Sequence, residues 1–344
     1  MIPASFDYVR ATSLSQAIGL MLNDPDGTKL VAGGHSLIPT LKLRLASPAR
    51  LVDICGIEEL QGIEIGDRIR IGALTTHAEL LASDALRQVL PIIHQTGDMI
   101  ADPQVRNRGT IGGSLANADP AADWPAVVVA LNAELELAGP NGRRRVGARE
   151  FFLGIMTTAL ETGDVLVAVH VARPRPGVQF RYRKIRHPAS GYAVVGVAVA
   201  IGQKNGLVSE ASIGITGASD HAFAADAATA FLTGKPLSSK NIEQTALLAS
   251  EHAACLSDQI RLGRLSQAPR QNRGCPSVVI PVRGLIDQTD HQQLLHRRVR
   301  RHVEPRLFTS VHIRLFTSVS MPIAIHTGPR RAGEHRNGHI RSWS

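Results

Sequence analysis

A length of 344 residues, 44% hydrophobic but only 4% aromatic, predicts two domains with cores built from Val, Ile, Leu and Ala. The net charge of +9 comes from residues 261–344, where 15 Arg stand against four acidic residues for +11, which leaves −2 on the first 260. No apolar run nears the roughly 20 residues of a membrane span, no basic-then-apolar leader opens the chain, and Cys55, Cys255 and Cys275 form no CxxC pair.

These features lead us to expect a reducing, cytoplasmic setting, without a disulfide framework or an iron–sulfur site on this chain. In chain order, Ser13 caps a helix predicted over 14–22, with Leu14, Ala17, Ile18 and Met21 on one face. Asp24-Pro25-Asp26-Gly27 turns into a short strand, 29–32, which Gly33-Gly34-His35-Ser36 breaks. Residues 51–54 are a second strand, and 63–71 read as a hairpin about Gly66-Asp67. A helix starts near His77 behind Thr75-Thr76, and 86–100 are helical in pattern. Residues 103–113 read as a loop, 123–132 as an apolar helix or strand, and 134–137 as one arm of a hairpin turning at Gly139-Pro140-Asn141-Gly142. A strand over 164–171 runs into Arg173-Pro174-Arg175-Pro176-Gly177, a linker and the predicted domain boundary. Beyond it, strands over 193–201 and 211–216 and helices over 222–232 and 241–255 make a small α/β unit.

Two loops carry residue types suited to an anion. In the first, Val31-Ala32-Gly33-Gly34-His35-Ser36-Leu37-Ile38-Pro39, a strand runs into two glycines. Glycine permits positive φ and close backbone approach, and successive N–H groups in such a turn form a nest for a pyrophosphate. Taken alone, the loop reads equally as an ordinary Gly-Gly turn. The second, Gly109-Thr110-Ile111-Gly112-Gly113-Ser114-Leu115-Ala116-Asn117-Ala118-Asp119-Pro120, repeats that chemistry and adds the hydroxyls of Thr110 and Ser114. Asp123 follows, an acceptor for a ribose or ribityl hydroxyl. Neither G-x-G-x-x-G after a strand nor G-x-x-x-x-G-K-[ST] occurs, so a Rossmann or P-loop reading lacks its anchor. His35 reads as a loop or ligand contact ahead of an acid–base group, and Cys55 as a small buried hydrophobe. Arg106 and Arg108 are either phosphate counter-ions or solvated charges.

Three segments together resemble a known family: Ala32-Gly33-Gly34-His35-Ser36; Thr110-Ile111-Gly112-Gly113-Ser114 with Ala118-Asp119-Pro120-Ala121-Ala122-Asp123; and Lys184-Ile185-Arg186-His187-Pro188-Ala189-Ser190-Gly191-Tyr192-Ala193-Val194-Val195. In this order and spacing they are similar to the FAD-binding subunits of molybdenum hydroxylases, above all the medium subunit of aerobic carbon monoxide dehydrogenase, within the wider xanthine dehydrogenase family. The resemblance covers residues 1–257. It implies an α+β fold: a two-lobed FAD-binding domain of the vanillyl-alcohol-oxidase type over 1–175, with lobes 1–57 and 58–175, then a small α/β C-terminal domain over 176–257. It implies that Lys29, Leu30, Val31, Ala32, Gly33, Gly34, His35 and Ser36, with Thr110, Ile111, Gly112, Gly113 and Ser114, hold the FAD pyrophosphate. Asp123 then binds the ribityl or ribose side, Ile100 and Leu166 line the flavin or adenine, Lys184 contacts the flavin, and Tyr192 lies beside the isoalloxazine ring. For Tyr192 the competing reading is a strand-edge core residue. Ser114 stands where the family often has Asn, a longer side chain.

The resemblance further implies an oxidoreductase subunit with no catalytic acid or base and no metal of its own. Its expected partners are a molybdopterin-containing large subunit and a [2Fe–2S] small subunit, in a heterotrimer that can itself dimerise. Electrons would pass from the [2Fe–2S] clusters through FAD to a quinone, NAD or another acceptor. The competing readings are a stand-alone FAD oxidoreductase and a nucleic-acid-binding protein acting through the basic tail; we expect no nucleic acid and at most peripheral membrane association. Residues 258–344 change in texture: they hold 7 of the 14 His, no Lys, and Arg-Leu-Phe-Thr-Ser-Val twice, at 306–311 and 314–319. Either an unpacked, disordered terminus or a shifted reading frame is expected from such a change. The family's last helix begins Ser-Asp-Leu-Arg-Gly, whereas Ser257-Asp258 here runs into Gln259-Ile260-Arg261, so an incomplete C-terminal domain is expected.

Overall fold

The computed structural model describes residues 2–251 and residue 253. The expectations for residues 258–344 and for a missing last helix lie outside the described residues. The first lobe is β1 (Asp7–Arg10), α1 (Leu14–Asn23), β2 (Thr28–Val31), α2 (Leu37–Lys42) and β3 (Arg50–Asp53), with three parallel strands in the order β1-β3-β2. Ser13 Oγ accepts from Gln16 N at 3.2 Å and so supplies the cap of α1. Asp24 Oδ1 accepts from Gly27 N at 3.0 Å, an Asx-type turn that feeds β2.

The second lobe runs through β4 (Ile63–Ile65), β5 (Arg68–Gly72), α3 (His77–Ala82), α4 (Asp84–Val89), α5 (Pro91–Gly97), α6 (Pro103–Arg106), α7 (Ile111–Asn117), α8 (Asp123–Ala130), β6 (Glu134–Gly139), β7 (Gly142–Gly147), α9 (Ala148–Phe151), β8 (Phe152–Gly154), β9 (Thr157–Thr158) and β10 (Val165–Ala172). Its antiparallel sheet has the order β4-β5-β10-β6-β7. Thr76 and Glu79 form a reciprocal capping box at the start of α3. The helix expected over 86–100 is broken into α4 and α5, because Pro91 has no N–H to continue a helix and instead opens a new one. The loop expected over 103–113 contains α6 and the start of α7. Asp102 and Thr110 cap these two helices and outweigh the poor helix propensity of Gly112 and Gly113.

The third part is an antiparallel sheet of β11 (Gln179–Arg186), β12 (Ala193–Lys204), β13 (Leu207–Thr216) and β14 (Phe223–Ala224), followed by α10 (Asp226–Leu232) and α11 (Ser239–Glu251). The helix expected from 222 starts only at Asp226, since Phe223 and Ala224 pair with Ile215 and Gly214. Strand β12 is buried on both faces. Val195, Val197, Val199 and Ile201 join the core under α10 and α11, and Ala198 joins the core around Trp124. Helix α8 is buried at all eight positions, as expected of a helix that is apolar all round after its first residue, Asp123. It lies so close to β13 that a Cβ on Gly214 would sit 2.1 Å from the Ala126 carbonyl oxygen. The core holding Trp124 also takes in Phe180 and Tyr182, so it continues past the 173–177 linker into the third sheet.

Candidate functional site

The two glycine-rich loops meet. A Cβ on Gly33 would lie 2.1 Å from the Arg108 carbonyl oxygen and 2.9 Å from Gly109 Cα, so only glycine permits this approach. Gly34 has φ +75, the left-handed conformation that glycine adopts at little cost. The backbone N–H groups of Gly33, Gly34, His35 and Ser36 donate no hydrogen bond to any described residue. The second loop is laced to the chain leaving β5: Gly112 N donates to Ala73 O at 2.8 Å, Ile111 N to Thr75 O at 3.0 Å, and His77 N to Gly109 O at 2.9 Å. Thr110 caps α7, its hydroxyl accepting from Gly113 N at 3.0 Å. A cavity of about 190 Å³ opens where the loops meet, lined by Gly33, Cys55, Thr76, Glu79, Arg108 and Thr110 among others.

Two side chains brace this junction. Cys55 is half-buried and its thiol donates to the Ala32 carbonyl at 3.3 Å, so it tethers the first loop where a plain hydrophobe was expected. Burial and the neighbouring Asp53 push this thiol up to about 11, which makes it a poor nucleophile. His77 is buried, and its Nδ1 accepts from Trp124 Nε1 at 3.2 Å. Burial holds its pKa down at about 4, and the neighbouring His35 ring and Arg106 guanidinium act in the same direction. The ring is therefore neutral, with its proton assigned to Nε2 by the Trp124 bond.

Beyond α7 lies a second polar group. Helix α7 is seven residues long, about 10 Å along its axis, and ends at Ala118 in the left-handed conformation (φ +47). Asp123 then opens α8, where the positive end of the helix dipole favours an acid. Its Oδ1 accepts from the Tyr182 hydroxyl at 2.5 Å and its Oδ2 from Lys184 Nζ at 2.9 Å. The Lys184 side chain is 1% exposed and that of Asp123 7%, so the pair is buried. Burial pushes the Asp123 carboxyl up, while Lys184, Tyr182 and Arg186 pull it back.

The structure brings Gly33 against Arg108 and Gly109, next to Thr110 at the start of α7, and separately pairs Asp123 with Tyr182 and Lys184. Lys29 is exposed on β2, with Leu30 and Val31 partly buried beside it. Tyr192 is 44% exposed in the turn between β11 and β12, near enough to Asp119 and Asp123 for their charges to raise its pKa further after burial. Leu166 is 5% exposed on β10 within the main core, and Ile100 packs at the border of that core. Sequence reasoning missed Tyr182, His77 and Trp124. For Tyr182 the available signal was the alternation of Phe180 and Tyr182 with Arg181 and Arg183, which marks a strand with one buried face.

Comparison with known proteins decides the family. Residues 4–174 match the model of the FAD binding domain in molybdopterin dehydrogenase, and residues 180–261 match that of the CO dehydrogenase flavoprotein C-terminal domain. The chain is 41% identical over 259 residues to the carbon monoxide dehydrogenase medium chain of Afipia carboxidovorans, covering 75% of this chain and 90% of that one. It belongs to the flavoprotein subunits of the molybdenum hydroxylases. A glyceraldehyde dehydrogenase medium chain from Sulfolobus acidocaldarius is 38% identical over 247 residues, 72% of this chain and 87% of its own length. A solved structure of the Cu,Mo-CO dehydrogenase in its cyanide-inactivated form aligns with a TM-score of 0.77 and 37% identity, covering 83% of this chain and 98% of that one.

As a member of this flavoprotein family the chain is an α+β oxidoreductase subunit whose cofactor is FAD, with homologues that are subunits of multi-subunit dehydrogenases. The site suits that cofactor. Four consecutive N–H groups without an acceptor among the described residues are the kind of donors that suit an anion, and a buried acid follows α7 along the chain. No helix among the described residues is long and apolar enough to cross a membrane.

Proposed function

We propose that this chain is the electron-transfer subunit of a molybdenum hydroxylase, accepting electrons from [2Fe–2S] clusters on a partner and delivering them to an external acceptor. Three cysteines in the whole sequence fall short of the four thiolates of one such cluster, so the clusters belong to another chain. The partners are then a small [2Fe–2S] subunit and a large molybdopterin subunit that carries the substrate. Relatives named for carbon monoxide and for glyceraldehyde share this flavin subunit's sequence at similar identity, which fits a substrate chosen elsewhere in the complex. A cytoplasmic site of action completes the reading, as does a chain divided into lobes 1–57 and 58–175 and a C-terminal domain from 176.

The observation that supports the proposal is the contact of Gly33 with Arg108 and Gly109, which sets the N–H groups of the first loop beside the second loop and its Thr110 hydroxyl. There the N–H groups of Gly33 to Ser36, positioned by Lys29 to Ala32, hold the pyrophosphate together with Thr110 to Ser114. Asp123 accepts from a ribityl or ribose hydroxyl. Lys184 supplies a cation toward the flavin, Tyr192 covers the ring, and Ile100 and Leu166 furnish apolar walls. Bound FAD supplies one- and two-electron redox chemistry, and the protein supplies binding, orientation and charge. Purified full-length chain should carry one FAD and show a flavin absorbance spectrum; a well-folded colourless protein that takes up no added FAD overturns the proposal.

A further inference from the structure

We propose that Tyr182 is a positioning residue of the flavin site, whose hydroxyl holds the Asp123 carboxylate in the orientation that binds FAD. The inference rests on the reading, given above, that Asp123 accepts from a hydroxyl of the cofactor. The setting is built for this contact. Tyr182 is 2% exposed and lies on the edge strand β11. Gln95 of α5 fixes that strand's free edge: its Oε1 accepts from Tyr182 N at 3.0 Å, and its Nε2 donates to Phe180 O at 3.3 Å. Across the sheet, β12 has Gly196 where a Cβ would lie 2.4 Å from the Tyr182 hydroxyl. A side chain at position 196 would therefore push the hydroxyl off Asp123, and glycine leaves it in place.

The chemistry follows from counting lone pairs. A carboxylate has about four acceptor positions. Tyr182 takes one on Oδ1 and Lys184 one on Oδ2, so each oxygen keeps a second for a ligand. Two fixed partners on opposite oxygens remove the freedom of the carboxyl group to turn. Without the hydroxyl, a buried anion loses one of its two side-chain hydrogen bonds and is free to rotate about Cβ–Cγ. Hydrogen bonds to charged groups are worth roughly tenfold or more in an equilibrium constant.

The test uses the full chain as wild type, Tyr182→Phe, Asp123→Asn and the double variant, with the FAD dissociation constant measured by equilibrium dialysis and a thermal melt on each. We expect Tyr182→Phe to weaken FAD binding about tenfold and the double variant to bind no more weakly than Asp123→Asn alone, because Tyr182 acts through Asp123. Wild-type affinity in Tyr182→Phe alongside a loss in Asp123→Asn overturns the positioning role and leaves the Asp123 reading standing. Independent, multiplying losses in the double variant overturn it too. Unchanged binding in Asp123→Asn overturns both. Should Tyr182→Phe not fold, Gly196→Ala displaces the same hydroxyl, with Thr216→Val as the control because the new Cβ would also stand 2.8 Å from Thr216 Cγ2; weakening beyond that of Thr216→Val is expected, and wild-type affinity in Gly196→Ala overturns the proposal.

Discussion

Replacing Gly33 with Ala tests whether the two loops bind one group jointly. Gly33 is not among the positive-φ glycines, so alanine can adopt its backbone conformation and the effect is purely steric. The new Cβ would stand 2.1 Å from Arg108 O, 2.7 Å from Arg108 C and 2.9 Å from Gly109 Cα. Every one of these atoms is backbone, so no side chain can swing away to make room. Restoring ordinary contact with Arg108 O at about 3.5 Å requires the loops to part by roughly 1.4 Å. Overpacking of this kind costs about 1–3 kcal/mol. In binding, a shift of that size between two loops proposed to share a pyrophosphate should raise the FAD dissociation constant by about ten- to a hundredfold. Equilibrium dialysis of FAD against the full chain measures this, and a thermal melt verifies that the variant is folded. A folded Gly33→Ala protein with wild-type FAD affinity would refute the idea that the contact between the loops assembles the site.

Two further outcomes are expected. The folded-state pKa of His77, about 4, lies below the ordinary value of roughly 6.5, so the unfolded chain takes up a proton that the folded chain refuses. This contribution to stability is whole above about pH 6.5 and is lost as the pH falls toward 4. Between about pH 7.5 and pH 5 it amounts to roughly 2 kcal/mol, read as a difference in urea unfolding that His77→Gln should abolish; an unchanged pH slope in that variant would show that another group is responsible. Gly214→Ala places a Cβ 2.1 Å from Ala126 O and 2.9 Å from Ala130 N and forces α8 off β13. A loss of about 2–3 kcal/mol, or roughly 5–10 °C in Tm, should follow, and a melt unchanged from wild type would contradict the close packing.

The parts of the molecule that local chemistry determines were legible in the sequence. Ser13 and the Asp24–Gly27 turn act within four residues, and the glycine pairs at 33–34 and 112–113 announce unusual backbone wherever they occur. Strand β10 and the hairpin of β4 and β5 show in apolar runs and in the turn between them. What sequence could not show depends on partners far along the chain. Helix α7 was hidden because its two glycines read as loop, and its cap at Thr110 works only with α7 already formed. Tyr182 meets an acid 59 residues earlier, and His77 meets Trp124 47 residues later. Cys55 looked inert because its acceptor is a backbone carbonyl 23 residues away. Side-chain hydrogen bonds between elements have no period, so a linear reading finds such residues only as polar groups awaiting partners.

The third sheet explains why Asp123 is usable at all. Gly217 N donates to Pro120 O at 2.7 Å, Ala193 N donates to Ala121 O at 3.2 Å, and Thr216 Oγ1, 2.7 Å from Pro120 O and 2.8 Å from Ala122 O, can give its one proton to Ala122 O. Three successive carbonyls just before Asp123 are therefore satisfied by the ends of β12 and β13. Strand β11 adds Tyr182 and Lys184 on the carboxylate itself. Take this sheet away and the carbonyls lose their donors, at about 1–3 kcal/mol for each one left buried. Asp123 would also be a buried acid without a counter-ion, which burial would drive toward its neutral form. The labour divides accordingly. On the proposed reading, the first two lobes supply the N–H groups for a phosphate, whereas the acid that opens α8 has its two side-chain partners, Tyr182 and Lys184, from the C-terminal sheet. Binding of the phosphate end and binding of the sugar end should then respond to different substitutions, with the loops governing the first and β11 to β13 the second.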